Sequence, residues 1–208
     1  MARKLSYHEQ KEASETIKLR NVLKTLPNFS YDYFRAMENT TTIKTRISYV
    51  YDIRLFFSFL IACNPIYSSY KTNEFTLDDL DNITPVDIEE YLEYLKVYTD
   101  TNGNVYKNDS RGLHRKLSAL RSFYAYYYEM IKSNPTLLVD MPKLRDKEII
   151  RLDYDEVAKL LDLVEHGGDN LTGMKKVYYE KNRIRNLAIF TLFLGTGIRV
   201  SECVGLNI

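Results

Sequence analysis

Apolar residues return every three or four positions along most of the chain, and the strict alternation of a half-buried strand is nearly absent, so the pattern predicts a helical protein. A polar helix is expected over about 6–26; its Ile17, Leu19, Val22, Leu23 and Leu26 gather at the end, where Pro27 stops it. A short aromatic piece, Phe29 to Met37, follows. Ile43, Ile47, Val50, Ile53, Phe57 and Leu60 then advance by threes and fours as one stripe of about five turns, closed by Asn64-Pro65. After a polar loop, Thr84 before Pro85 and Asp87 has the form of an N-cap with proline at the first helical position, opening a helix with Ile88, Tyr91, Leu92 and Leu95. A loop at Asn102-Gly103-Asn104 leads to the strongest pattern, in which Leu113, Leu117, Leu120, Tyr124 and Tyr127 share one face before the exit at Asn134-Pro135.

The stretch 141–151, MPKLRDKEIIR, has few core residues, a proline and mixed charge, and marks a domain boundary. The division expected is a helical domain at 1–142, a linker at 143–151 and a second domain at 152–208. In the second, Asp153 with Glu156 forms a capping box ahead of Val157, Leu160, Leu161 and Val164, and Gly167-Gly168 closes that helix. Leu187 to Leu194, LAIFTLFL, is apolar on every side; its charged lead-in and trailing glycines favour a buried helix of about three turns over a strand.

Composition narrows the class without naming a function. The 208 residues suit one or two domains at roughly 150 residues each. A 45% apolar share is ordinary for a soluble globular chain, Cys63 and Cys203 make neither a disulfide framework nor a metal cluster, and no apolar run reaches the roughly 18 residues of a membrane span. A cytoplasmic protein with no metal, cofactor or membrane partner is expected. The net charge of +1 hides segregation: 78–93 is acidic, whereas Ser110 to Arg121 holds Arg111, Arg115, Lys116 and Arg121 with no acid. Arg111, Arg115, Ser118 and Ser122 lie about 200° from the leucine stripe, so this helix offers a core face and a basic, hydroxyl-bearing face. Lys44, Thr45, Arg46, Ser48 and Tyr49 decorate the start of the earlier long helix in the same way. Such side chains suit phosphates and base edges, although an exposed face with four cations is also what an ordinary solvated helix presents. Most of the 18 tyrosines are expected in the core and at its rim rather than as a base-stacking platform.

One string is different in kind. Arg185-Asn186-Leu187-Ala188, the apolar helix, and then Gly195-Thr196-Gly197-Ile198-Arg199-Val200-Ser201-Glu202-Cys203-Val204-Gly205-Leu206 resembles the tyrosine recombinase (phage integrase) family, most closely its Xer-type members. Thr45 to Leu60 with its Phe56-Phe57-Ser58-Phe59-Leu60 ending, Arg115-Lys116-Leu117-Ser118-Ala119-Leu120-Arg121-Ser122-Phe123-Tyr124, Asn134-Pro135 and Met141-Pro142-Lys143 are similar to further stretches of that family. Ser6 to Leu26 and Gly167 to Tyr179 depart from the shortest Xer pattern, which would suit a clostridial or streptococcal-like single-recombinase subgroup or a mobile-element integrase.

The resemblance implies an all-α fragment: a helical core-binding (SAM-like) domain followed by the first helices of a mixed α/β catalytic domain. It implies duplex DNA as partner, other protomers in a tetrameric synapse, no small-molecule substrate, and strand cleavage through a 3′-phosphotyrosine. DNA-binding residues would be Lys44, Thr45, Arg46, Tyr49, Arg111, Arg115, Lys116, Ser118 and Arg121. Arg199 would be the first arginine of the pair that stabilises the phosphorane, since a guanidinium offers a fixed fork to two phosphoryl oxygens, and Glu202 would hold its rotamer. Its place after a glycine turn and at a helix start also suits an anion. The family's His-x-x-Arg is missing, because three positions after His8, His114 and His166 stand Lys11, Leu117 and Asp169, and no tyrosine here is nominated as nucleophile. The chain is therefore expected to be an N-terminal fragment that binds DNA without cleaving it. A helical DNA-binding or protein-interaction module without catalytic activity is the alternative.

Overall fold

Ser6, Thr42, Thr76, Thr84, Asp109 and Asp153 each accept, on a side-chain oxygen, the backbone N–H three residues on, so six helix starts are fixed by local chemistry. The structure is a computed structural model that describes residues 5–100, 102–144 and 148–206. It divides into two compact units, Met1–Asp146 and Lys147–Ile208.

In the first unit the order is α1 (Tyr7–Leu23), α2 (Ser30–Ala36), α3 (Ile43–Cys63), α4 (Leu77–Asn82), α5 (Pro85–Lys96), a hairpin of β1 (Val97–Thr99) and β2 (Val105–Lys107), and α6 (Ser110–Tyr126). The core lies along α3 and α6, where Val50, Ile53, Phe57 and Leu60 meet Leu117, Leu120 and Phe123 with essentially no exposure. Helix α1 closes one side of α3 with Leu19, Val22 and Leu23, and α5 contributes Ile88, Tyr91 and Leu95. The tyrosine wealth serves this core. Buried rings keep their hydroxyls satisfied, as Tyr33 Oη donates to Ser122 Oγ at 2.9 Å and Tyr127 Oη to the Phe29 carbonyl at 2.6 Å.

The second unit contains α7 (Tyr154–His166), α8 (Gly173–Thr196) and α9 (Val200–Val204). Helices α7 and α8 pack on each other: Tyr179 Oη donates to the Val164 carbonyl at 3.0 Å and Arg183 to that of Glu165 at 3.2 Å. Gly168 lets this happen, because a Cβ there would stand 2.4 Å from the Tyr179 ring.

Among the described residues the structure is all-α but for the hairpin, and it departs from the sequence pattern in four places. The 97–107 segment is a hairpin where a loop is expected; three-residue strands carry too little periodicity to be seen. Its turn is built by Asp100, whose carboxylate accepts the N–H groups of Asn102 and Asn104, while Tyr98 and Tyr106 stack at 5.2 Å. The loop before Thr84 contains α4, a helix too short to show a stripe. Helix α8 begins at Gly173, well before the apolar run. That run, expected to be buried, is not: Ile189, Phe190 and Leu194 are 36%, 37% and 41% exposed. Among the described residues no helix is long and apolar enough to cross a membrane.

Candidate functional site

Two places bring the predicted residues together, one in each unit. The first is where α3 meets α6. Thr42 caps α3, accepting the Thr45 N–H at 3.3 Å, which leaves Lys44 exposed and Thr45 and Tyr49 half-buried along the first turns. On α6, Arg111 is exposed, and Ser118 turns back to donate to the His114 carbonyl at 2.9 Å.

Arg46, Lys116 and Arg121 depart from the outward basic face. The Arg46 side chain is only 12% exposed, with Nη1 3.2 Å from Glu38 and a buried Nε that has no hydrogen-bond partner. Lys116 is buried because, at 100° per residue, it stands only about 60° from the centre of the leucine stripe. Arg121 donates from Nε to the Thr136 carbonyl at 3.1 Å and from Nη2 to that of Val139 at 2.6 Å, tying α6 to the exit segment. These three cations are engaged inside the protein, so the outward set shrinks to Lys44, Arg111 and Arg115.

Arg115 has a partner the sequence pattern did not supply. Its two Nη atoms grip both oxygens of Asp52, Nη2 to Oδ1 at 3.0 Å, and the Lys116 ammonium lies 3.4 Å from the same Oδ1. The Asp52 side chain is 4% exposed, that of Lys116 9%, and that of Arg115 45%. Burial pushes the Asp52 carboxyl above the usual carboxylate range, against the opposing pull of the two cations. A signal for this residue exists in the sequence. Asp52 stands three residues after Tyr49 and four before Phe56, on an aromatic line opposite the Ile43-to-Leu60 stripe, where an acid between rings must find a partner or incur a large desolvation cost.

The second place is the turn between α8 and α9. Gly197 takes a left-handed φ of 66°, which glycine adopts without steric cost, and its N–H caps α8 by donating to the Phe193 carbonyl at 2.9 Å. The chain reverses, and Arg199 becomes the N-cap of α9. The Glu202 carboxylate then accepts twice from one residue: the Arg199 backbone N–H at 2.9 Å and Nη1 at 3.1 Å. The Arg199 side chain is 81% exposed, leaving most of its donors free. The backbone hydrogen bond, then the guanidinium one, holds the Glu202 carboxyl below the usual range. Helix α9 has five residues, too few for a strong dipole, so the positive charge at this turn resides in the guanidinium.

A tyrosine recombinase XerC of Caldanaerobacter subterraneus subsp. tengcongensis is 33% identical over 185 residues, covering 85% of this chain and 46% of the relative. Tyrosine recombinases XerS of Streptococcus uberis and Lactococcus lactis are 27% and 25% identical over 207 residues, covering 88% of this chain and 57% of each relative. The chain belongs to the Xer-type tyrosine recombinases. It spans about half the length of the curated relatives it matches. No protein-family profile and no solved structure matches it.

For a Xer-type chain, the two places differ in construction. The Arg199–Glu202 pair spans three residues and is made by one turn of chain; the Asp52–Arg115 pair joins residues 63 apart and exists only because α3 packs on α6.

Proposed function

We propose that this chain supplies the DNA-grasping unit and the first catalytic arginine of an enzyme that cuts and rejoins duplex DNA at a specific site. The reaction is attack of a tyrosine hydroxyl on a phosphodiester, giving a 3′-phosphotyrosine and a free 5′-hydroxyl; the reverse attack rejoins the strand. The covalent link keeps the energy of the broken bond, so the cycle requires no nucleotide. Arg199 donates to the phosphoryl oxygens as negative charge builds on them, and Glu202 restricts its guanidinium to one region of space.

In this reading residues 1–142 are the core-binding domain and 152–208 open the catalytic domain, with 143–151 as the linker. Lys44, Thr45, Tyr49, Arg111, Arg115 and Ser118 face the DNA, and partner protomers complete a synapse on the target site. The chain alone binds DNA without cutting it. The observation that carries the reading is the Thr196-to-Glu202 constellation, a glycine-capped turn that presents one exposed, carboxylate-steered arginine.

The test is Arg199→Ala in a recombinase containing this chain, measured as covalent adduct on a nicked suicide substrate beside gel-shift affinity on the same DNA. Adduct formation falls by at least about 100-fold while affinity stays within about 3-fold, as removal of a preorganised oxyanion donor does. Arg199→Lys recovers little, because a point charge does not reproduce the fork. Equal losses in both assays would make Arg199 a binding residue, and near-normal cleavage would remove it from the active site.

A further inference from the structure

An ion cluster inside a helical core calls for a reason, because burying charges contributes little net stability and an apolar trio of similar volume would pack there as well. Asp52, Lys116 and Arg115 form such a cluster, graded from inside to outside: two side chains under 10% exposed and the third 45% exposed. Were Asp52 paired with Arg115 alone, the pair would be neutral and would offer a phosphate no net attraction. Lys116 changes this. Its ammonium, 3.4 Å from Asp52 Oδ1, balances the carboxylate from within, so the cluster carries one net positive charge, and the cation that reaches the surface is Arg115.

The geometry favours the same outcome. Asp52 takes two of the guanidinium's five donors, one from each Nη, and so fixes the plane of the fork while the remaining N–H groups stay available. An arginine tethered at both Nη atoms has already lost rotamer freedom on folding, whereas the exposed Lys44 and Arg111, which form no salt bridge among the described residues, must lose theirs on binding. Resting on the DNA-binding reading above, we propose that Asp52 and Lys116 are a buried positioning pair that holds Arg115 as a preorganised, net-positive contact for a DNA backbone phosphate. Neither buried residue touches DNA; both act through Arg115.

The experiment measures binding of the full 208-residue chain to duplex DNA by fluorescence anisotropy between 50 and 200 mM salt, with circular dichroism confirming that each variant is folded. Arg115→Ala lowers affinity by about 10-fold and reduces the log–log salt slope by about 0.9, the value of one phosphate contact. Lys116→Met, which keeps the volume but lets Asp52 cancel Arg115, reproduces most of that slope change although Lys116 cannot reach a phosphate. Asp52→Asn keeps the shape and loosens the clamp while raising the cluster charge to +2, so affinity falls by no more than about 3-fold and, unlike in Lys116→Met, the salt slope does not decrease. In an Arg115→Ala background neither change lowers affinity further by more than about 2-fold, which a purely structural role would not produce. Losses that add, or an unchanged slope in Arg115→Ala, overturn the proposal; if Asp52→Asn does not fold, Lys116→Met and Arg115→Ala decide it. A parent chain without salt-dependent binding would instead overturn the DNA-binding reading itself.

Discussion

The two units of this chain use similar apolar stripes to opposite ends. In the first, α3 and α6 bury theirs: Val50, Ile53, Phe57, Leu60, Leu117 and Leu120 are all essentially inaccessible. In the second, α7 carries a stripe as regular and α8 a run apolar on every side, yet neither helix has a fully buried residue. Ile184 is 76% exposed and Leu163 64%, and even the all-apolar run 187–194 is only half covered. Periodicity therefore reports which face a helix offers, and burial depends on whether something of matching shape packs there. The arginines follow the same division. Arg115 is held by a buried acid from another helix, Arg199 by an exposed acid one turn away.

The sharpest break in the comparison is a core deletion. Phe57→Ala, at a fully buried position, should cost about 3 to 5 kcal/mol in urea unfolding. Next, Asp52→Ala should cost about 3 kcal/mol, because it leaves the Lys116 ammonium buried without its counter-charge. Smaller by far, Ile184→Ala should change stability by no more than about 0.5 kcal/mol, as substitutions at exposed positions do. A loss as large as that of Phe57→Ala would mean that the α8 surface is covered in solution and that the contrast between the units fails.

The smallest effect concerns pH. Glu202 has a lowered carboxyl pKa in the folded chain, so its contribution to α9 is present above the ordinary glutamate range and is lost as pH falls through its own lower value. An NMR titration of the Glu202 carboxyl should show that midpoint below the ordinary range. Arg199→Ala should leave most of the depression in place, because the backbone N–H is its larger cause. A midpoint that returned fully to normal would make the guanidinium the dominant hold.

Much of the fold was legible because it is local. The caps read at Thr84 and Asp153 act on N–H groups three positions away, and the glycine turn at Gly197 followed by Arg199 and Glu202 lies within six residues. The hairpin at 97–107 and α4 were missed because elements of three to six residues are shorter than the stretches over which a repeat becomes visible. The basic face was overcounted for a different reason. Charge sums along α6 treat Arg115, Lys116 and Arg121 alike, while the helical phase already separates Lys116 from Arg115 by 100° and turns it toward the core.

The sequence by itself determined the helices, their caps, the linker composition and the arginine-bearing turn of a tyrosine recombinase, since each depends on residues within a turn or two of one another. Only the tertiary structure decided which cations remain outside. Arg121 meets carbonyls 15 and 18 residues away, and Asp52 meets Arg115 across 63 residues, distances over which no periodicity carries information. A charge declares itself in sequence; its partner is chosen by packing, because a buried carboxylate is tolerated only where another helix brings cations to it.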